Sequence, residues 1–131
     1  MKSISLGKSN LVGSRLAYGC WRIADRSDSN QVTRDIKGRG RAAVIAAYEA
    51  GYTLFDHADI YGDGIPETIF GEVLKEVSGM RENILIAAKC GIRKPGDPTP
   101  DSPYRYDFSG DYIMQSCDES LKRLGVETID I

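Results

Sequence analysis

The sequence predicts an α/β fold with a parallel sheet. Two observations carry this: short apolar runs alternate with segments of helical periodicity, and glycine or proline punctuates each transition. Consecutive strand–helix–strand units of this kind pair in parallel through right-handed crossovers. The chain has 131 residues and a formal charge of -2, with 17 basic and 19 acidic side chains. That balance describes an ordinary globular protein and points to neither nucleic acid nor an anionic membrane as a partner.

The opening segment reads as a β-hairpin. Ile4 and Leu6 alternate with polar residues, Gly7-Lys8-Ser9-Asn10 supplies turn chemistry, and Leu11 and Val12 begin the return. A first core strand is expected over Arg15–Trp21, then a polar loop over 24–32. A helix follows, beginning between Thr33 and Gly40 and ending at Ala50. Ala43, Ala46, Ala47 and Ala50 mark its packing stripe, and Gly51 sits in the C-terminal capping position. The run Arg34, Lys37, Arg39 and Arg41 reads as a solvated helix start, with a phosphate site as the lesser reading.

Thr53-Leu54-Phe55 is expected to be a buried strand. Pro66-Glu67 opens the next helix, with Ile69, Phe70, Val73, Leu74 and Val77 on one face, and Gly79 ends it. Ile84–Ala88 is a continuous apolar run, expected to be a strand buried on both faces. Residues 91–108 hold four of the five prolines and three aromatics and read as a long loop. Ser109 is expected to cap a third helix with an Ile113, Cys117, Leu121 and Leu124 stripe, ended by Gly125. Thr128–Ile131 begins a fourth strand.

Sites in parallel α/β folds form at the carboxyl ends of strands. Asp56 follows one apolar strand and Lys89 the next, so they end adjacent strands at the same level, with Tyr61 within reach. An ammonium beside a phenol favours the phenolate, and such a tyrosine can donate a proton to a carbonyl oxygen. Asp56 would hold Lys89 charged and oriented. Taken singly, Asp56 also reads as a turn cap, Lys89 as a surface lysine and Tyr61 as a packing residue. A Schiff base at Lys89 is a further alternative.

No metal is expected. His57 is the single histidine, and Asp56 and His57 should diverge to opposite faces. Cys20, Cys90 and Cys117 form no CxxC pair, which argues against a disulfide framework and suits a reducing cytoplasm. No apolar stretch reads as a signal peptide or a membrane span. No GxGxxG or P-loop sequence is present, so a dinucleotide would not be held on a Rossmann loop.

Phe55-Asp56-His57-Ala58-Asp59-Ile60-Tyr61-Gly62 resembles the aldo-keto reductase signature around the catalytic aspartate and tyrosine. Ala88-Lys89-Cys90-Gly91 resembles the segment around that family's catalytic lysine, and Gly19-Cys20-Trp21-Arg22 the segment after its first strand. The opening hairpin is similar to the one that plugs the bottom of that family's barrel. The resemblance spans essentially all 131 residues as one partial oxidoreductase domain, and the wording is closest to bacterial NADPH-dependent members.

The resemblance implies the amino-terminal part of a (β/α)₈ barrel, about three βα units after the hairpin, with the barrel incomplete. It implies reduction of aldehydes or ketones by hydride transfer from NADPH. Asp56, Tyr61 and Lys89 would be catalytic, with Tyr61 the general acid, and Cys20, Trp21, Arg22 and Asp56 would lie near the cofactor. The family's fourth catalytic residue, a histidine after strand four, and most of its NADP site correspond to positions beyond Ile131. The chain is therefore expected to be a fragment, inactive alone and prone to self-association through open sheet edges. The partner otherwise expected is a small carbonyl substrate. The alternative is a non-catalytic binding or structural remnant of the same fold.

Overall fold

The computed structural model describes residues 1–25 and 29–131, so part of the expected 24–32 loop lies outside the described residues. β1 (Ser3–Ser5) and β2 (Val12–Ser14) form the expected antiparallel hairpin, with Ile4 opposite Gly13. A Cβ on Gly13 would lie 3.3 Å from the Leu85 side chain and 3.5 Å from that of Leu54. Reciprocal bonds from Ser14 N to Thr53 Oγ1 (2.8 Å) and Thr53 N to Ser14 Oγ (3.0 Å) fasten the hairpin. It therefore covers the amino end of the sheet, away from Asp56 and Lys89.

That sheet has the order β3 (Tyr18–Gly19), β4 (Leu54–Asp56), β5 (Leu85–Ala87), all parallel and unclosed. β3 is shorter than the predicted Arg15–Trp21 strand. After Gly19 the chain coils into a 3₁₀ turn, Cys20–Ala24, because Cys20, Ile23 and Ala24 bury at helical spacing rather than alternating. Ile86 is the one fully buried residue of β5, with Leu85 and Ala87 partly exposed, so the sheet is not covered equally on both faces as expected. The expected fourth strand over 128–131 is not formed as a strand, but its last residue lies beside β5. Ile131 N donates to Ile86 O (3.2 Å) and Ala88 N to Ile131 O (3.0 Å), a parallel pattern.

α1 (Arg34–Glu49) starts at Thr33, whose hydroxyl accepts from Ile36 N. Its buried stripe is Ile36, Gly40, Val44 and Ala47; of the four alanines expected, Ala47 is buried and Ala43 partly so, whereas Ala46 and Ala50 are exposed. Gly40 sets this rotation, since a Cβ there would lie 2.0 Å from Ile23 O. The basic run is a solvated face, with Arg39 near Asp25 and Asp35 and Arg41 paired with Glu76.

α2 (Ile65–Glu76) buries Ile69, Phe70 and Val73 against the sheet, where Phe70 and Phe55 rings lie 5.0 Å apart. Each such side chain contributes about 1.5–3 kcal/mol on burial. α3 (Gly110–Leu124) starts after Ser109, whose side chain makes no capping bond, and docks on α2 through Ser116, Ser120 and Leu124. Ile113 and Cys117, predicted to be core, are exposed instead. Small residues permit close approach, and Gly71 of α2 meets the Leu124 and Arg123 carbonyl oxygens. Arg123 passes Gly64 and donates from Nε to Glu67 Oε2 at 2.6 Å; Glu67 is fully buried. Among the described residues no helix is long and apolar enough to cross a membrane.

The presumed loop 91–108 contains a further hairpin, β6 (Ile92–Arg93) with β7 (Arg105–Tyr106), Ile92 opposite Tyr106. Arg93 organises it. Its guanidinium bonds Asp97 twice and Asp107 once, each at 2.9 Å, and lies 4.4 Å from the Tyr112 ring centroid. The prolines concealed these strands from a pattern reading.

His57 and Asp56 diverge as expected. His57 is fully buried, edge-on to Phe70 at 4.6 Å, and both ring nitrogens lack hydrogen-bond partners. Burial, and secondarily the Lys89 charge, pushes its pKa down to about 3.

Two predictions follow from this packing. Gly38 of α1 is exposed with nothing within 4 Å of a Cβ. Gly38→Ala should therefore stabilise by up to about 1 kcal/mol, whereas Gly40→Ala should cost roughly 1–3 kcal/mol. Urea midpoints test this, and equal shifts would contradict the Gly40 contact. The second concerns acid. Below about pH 6.5 the unfolded histidine takes a proton that the folded ring refuses until about pH 3. Stability should fall by about 2 kcal/mol between about pH 7 and pH 5 on this account, and His57→Leu should remove that part of the loss. A variant with an unchanged pH slope would show that another group titrates.

Candidate active site

The β4–β5 register sets Asp56 opposite Ala87, so Lys89, two residues further on, emerges at the same sheet end as Asp56. Lys89 Nζ donates to Asp56 Oδ1 at 2.6 Å and to the His57 carbonyl oxygen at 2.7 Å. It lies 5.0 Å from the Tyr61 ring centroid. Burial works against the ammonium, but the hydrogen-bonded Asp56 carboxylate and the nearby Tyr61 phenol outweigh that, and its pKa stands above that of an ordinary lysine. The structure thus brings together the three residues singled out for acid catalysis.

Backbone bonds fix the segment that carries Tyr61. His57 N donates to Ala87 O (2.8 Å), Asp59 N to Lys89 O (3.0 Å) and Tyr61 N to Ala58 O (3.1 Å). The chain then turns sharply through Gly62, Asp63 and Gly64, all left-handed, with φ of 46°, 53° and 83°. Two glycines meet that demand without penalty, and Asp63 is the exception. Lys94 of the β6–β7 hairpin pairs with Asp63, tying the hairpin to the Tyr61 turn.

Trp21 lies beside Tyr61, with ring centroids 6.3 Å apart, and is half exposed. The Arg22 guanidinium sits 4.7 Å from the Trp21 ring centroid. Cys20, in the same segment, turns inward. Its side chain is sealed in the core with Sγ 3.7 Å from Tyr18 O, and burial drives its thiol pKa far up. Cys20 can offer a ligand its backbone only.

A cleft of about 250 Å³ opens beside these groups, lined by Tyr61, Lys89, Cys90, Ile92, Tyr106 and Phe108 among others. Tyr106 and Phe108 carry no assigned role in the sequence; their clustering in the segment after the lysine is the signal that was available. A second cavity of about 320 Å³ shares Asp59, Ile60 and Ile92 with it and is otherwise largely charged. Among the described residues no group of histidine, cysteine and acidic side chains could hold a metal.

The sequence pattern described as "Aldo/keto reductase family" matches residues 15–131. The 6-dehydroglucose reductase of Agrobacterium fabrum is 35% identical over 119 residues, which cover 90% of this chain and 38% of that protein. The holo form of an aldo-keto reductase from Bacillus halodurans superposes with a TM-score of 0.76 at 30% identity, over 98% of this chain and 38% of its own. The glycerol dehydrogenase of Gluconobacter oxydans gives a TM-score of 0.78 at 29% identity, over 97% of this chain and 37% of its own. The chain thus spans less than two fifths of the length of these relatives, as an unclosed part of their barrel. With the family pattern running from Arg15 to the last residue and the strand–helix units superposing on such barrels, the chain belongs to the aldo-keto reductase family.

Proposed function

We propose that this chain carries the proton-donating side of a carbonyl reductase that converts aldehydes or ketones to alcohols. The observation that supports this best is the Lys89 ammonium, 2.6 Å from Asp56 and 5.0 Å from the Tyr61 ring centroid at the open end of a parallel sheet. Tyr61 gives its phenolic proton to the carbonyl oxygen as that oxygen gains charge. Lys89 stabilises the phenolate left behind, and Asp56 holds the ammonium charged and in place. A reduced nicotinamide, when bound, supplies the hydride for the carbonyl carbon.

The residues present fit such a cofactor at its reactive end. Trp21 offers a half-exposed flat face beside Tyr61, and Arg22 and Asp56 stand at the same rim. NADPH is the expected form, on the resemblance to NADPH-dependent members. The joint placement of Asp56, Tyr61 and Lys89 favours a reductase over a non-catalytic remnant, which would not require it. The free cysteines suit a cytoplasmic setting. The open edges at β3 and beside Ile131 would let the chain associate with itself.

Tyr61→Phe should lower ketone reduction roughly 10²-fold or more while leaving NADPH affinity nearly unchanged. The assay is made in a barrel completed with the remaining part of the Agrobacterium fabrum relative, since this chain covers 38% of it. Parental turnover in the Phe variant with an unactivated ketone would remove Tyr61 from the role of acid.

A further inference from the structure

The turn that follows Tyr61 carries a residue its backbone does not favour. Asp63 stands between Gly62 and Gly64, all three left-handed, with φ of 53° and ψ of 36°. A third glycine would adopt that conformation without steric cost, so the carboxylate is there for what it touches. Strain of this kind marks a functional demand on the side chain. Its partner is Lys94 of the β6–β7 hairpin.

The segment is anchored on either side of this residue. Before Tyr61, His57 N and Asp59 N donate to Ala87 O and Lys89 O, at 2.8 and 3.0 Å. After the turn, the Arg123 side chain fills the volume beside Gly64, and Glu67 holds its guanidinium. Between these two anchors, the Asp63 carboxylate ties the turn to the hairpin. The hairpin reaches it from a fixed base. Arg93, next to Lys94, takes Asp97 and Asp107, and Tyr112 OH of α3 donates to Ile92 O at 3.2 Å.

We propose that Asp63 and Lys94 are positioning residues whose ion pair holds the Tyr61 ring against Trp21 and beside Lys89, so that proton donation depends on a seated hairpin. This rests on Tyr61 being the acid of the site. Tyr61 heads the turn, so a change in the turn backbone moves the phenol relative to the ammonium, which sits 5.0 Å from the ring centroid. Proton transfer requires the donor within hydrogen-bond reach of its acceptor, and small displacements are costly. Both members of the pair are half exposed, so the tie is modest and reversible, unlike the Glu67–Arg123 pair with its buried carboxylate.

The test is NMR of this chain, following the through-space contacts of the Tyr61 ring with Trp21 and with the Lys89 side chain. Lys94→Ala and Asp63→Asn should each weaken those contacts roughly two- to fivefold, the span an exposed ion pair allows. Asparagine tolerates the left-handed conformation as aspartate does, so it removes the charge and keeps the backbone preference. The double variant should be no worse than either single one, and Lys94→Arg should retain the contacts. The His57–Phe70 contact reports the core and should stay unchanged throughout. In the completed barrel, kcat should fall by a similar factor with NADPH affinity unchanged. Unchanged Tyr61 contacts in the single variants, additive losses in the double variant, no retention with Lys94→Arg, or loss of the His57–Phe70 contact alongside would each overturn the proposal. The ring contacts are read without turnover, so their failure is distinct from any failure of Tyr61 as acid.

Discussion

The parallel register of β4 on β5 fixes where the Lys89 charge can go. Leu54 lies opposite Leu85 and Asp56 opposite Ala87, so the ammonium leaves the sheet level with a carboxylate and within 2.7 Å of the His57 carbonyl. A one-residue slip would turn Asp56 towards the helices and His57 towards the cleft. The ammonium would then lose its carboxylate partner, and an imidazole now enclosed among apolar side chains would face water. The apolar residues on the helix side and the charged residue on the cleft side therefore enforce the same register.

Much of the site was legible in sequence because it sits at strand ends. Leu54-Phe55 and Ile86-Ala87-Ala88 are short apolar runs, and the polar residue following each is conspicuous. The divergence of Asp56 and His57 came from the two-residue period of a strand. The Arg15–Trp21 strand was overextended because apolar residues that bury in a 3₁₀ turn resemble those that bury in a strand over so short a span.

Helix rotation was the less legible part. The expected stripes include Ala47 of α1 and Leu124 of α3, which are buried, but not Gly40 on one helix or Ser116 and Ser120 on the other, which are buried as well. Where backbones approach closely, the smallest residue marks the interface, and hydrophobicity points elsewhere. The Arg93 cluster and the Lys94–Asp63 tie join residues too far apart in the chain, and too ordinary in type, for spacing to reveal them.

The Glu67–Arg123 pair has a bearing on how this sequence can drift. It joins two helices across 56 residues of chain, with the carboxylate fully buried. Removing one partner of such a pair strands a charge in the interior, at roughly 3–5 kcal/mol, while replacing both with apolar residues of similar volume is often neutral. Single steps away from the pair therefore cross a valley comparable to the whole stability of a domain. Gly64 is held by the same constraint, because an arginine side chain occupies the volume its own side chain would fill. Lineages that inherit the pair should keep both partners or lose both together, while the left-handed φ of 83° holds Gly64 in either case.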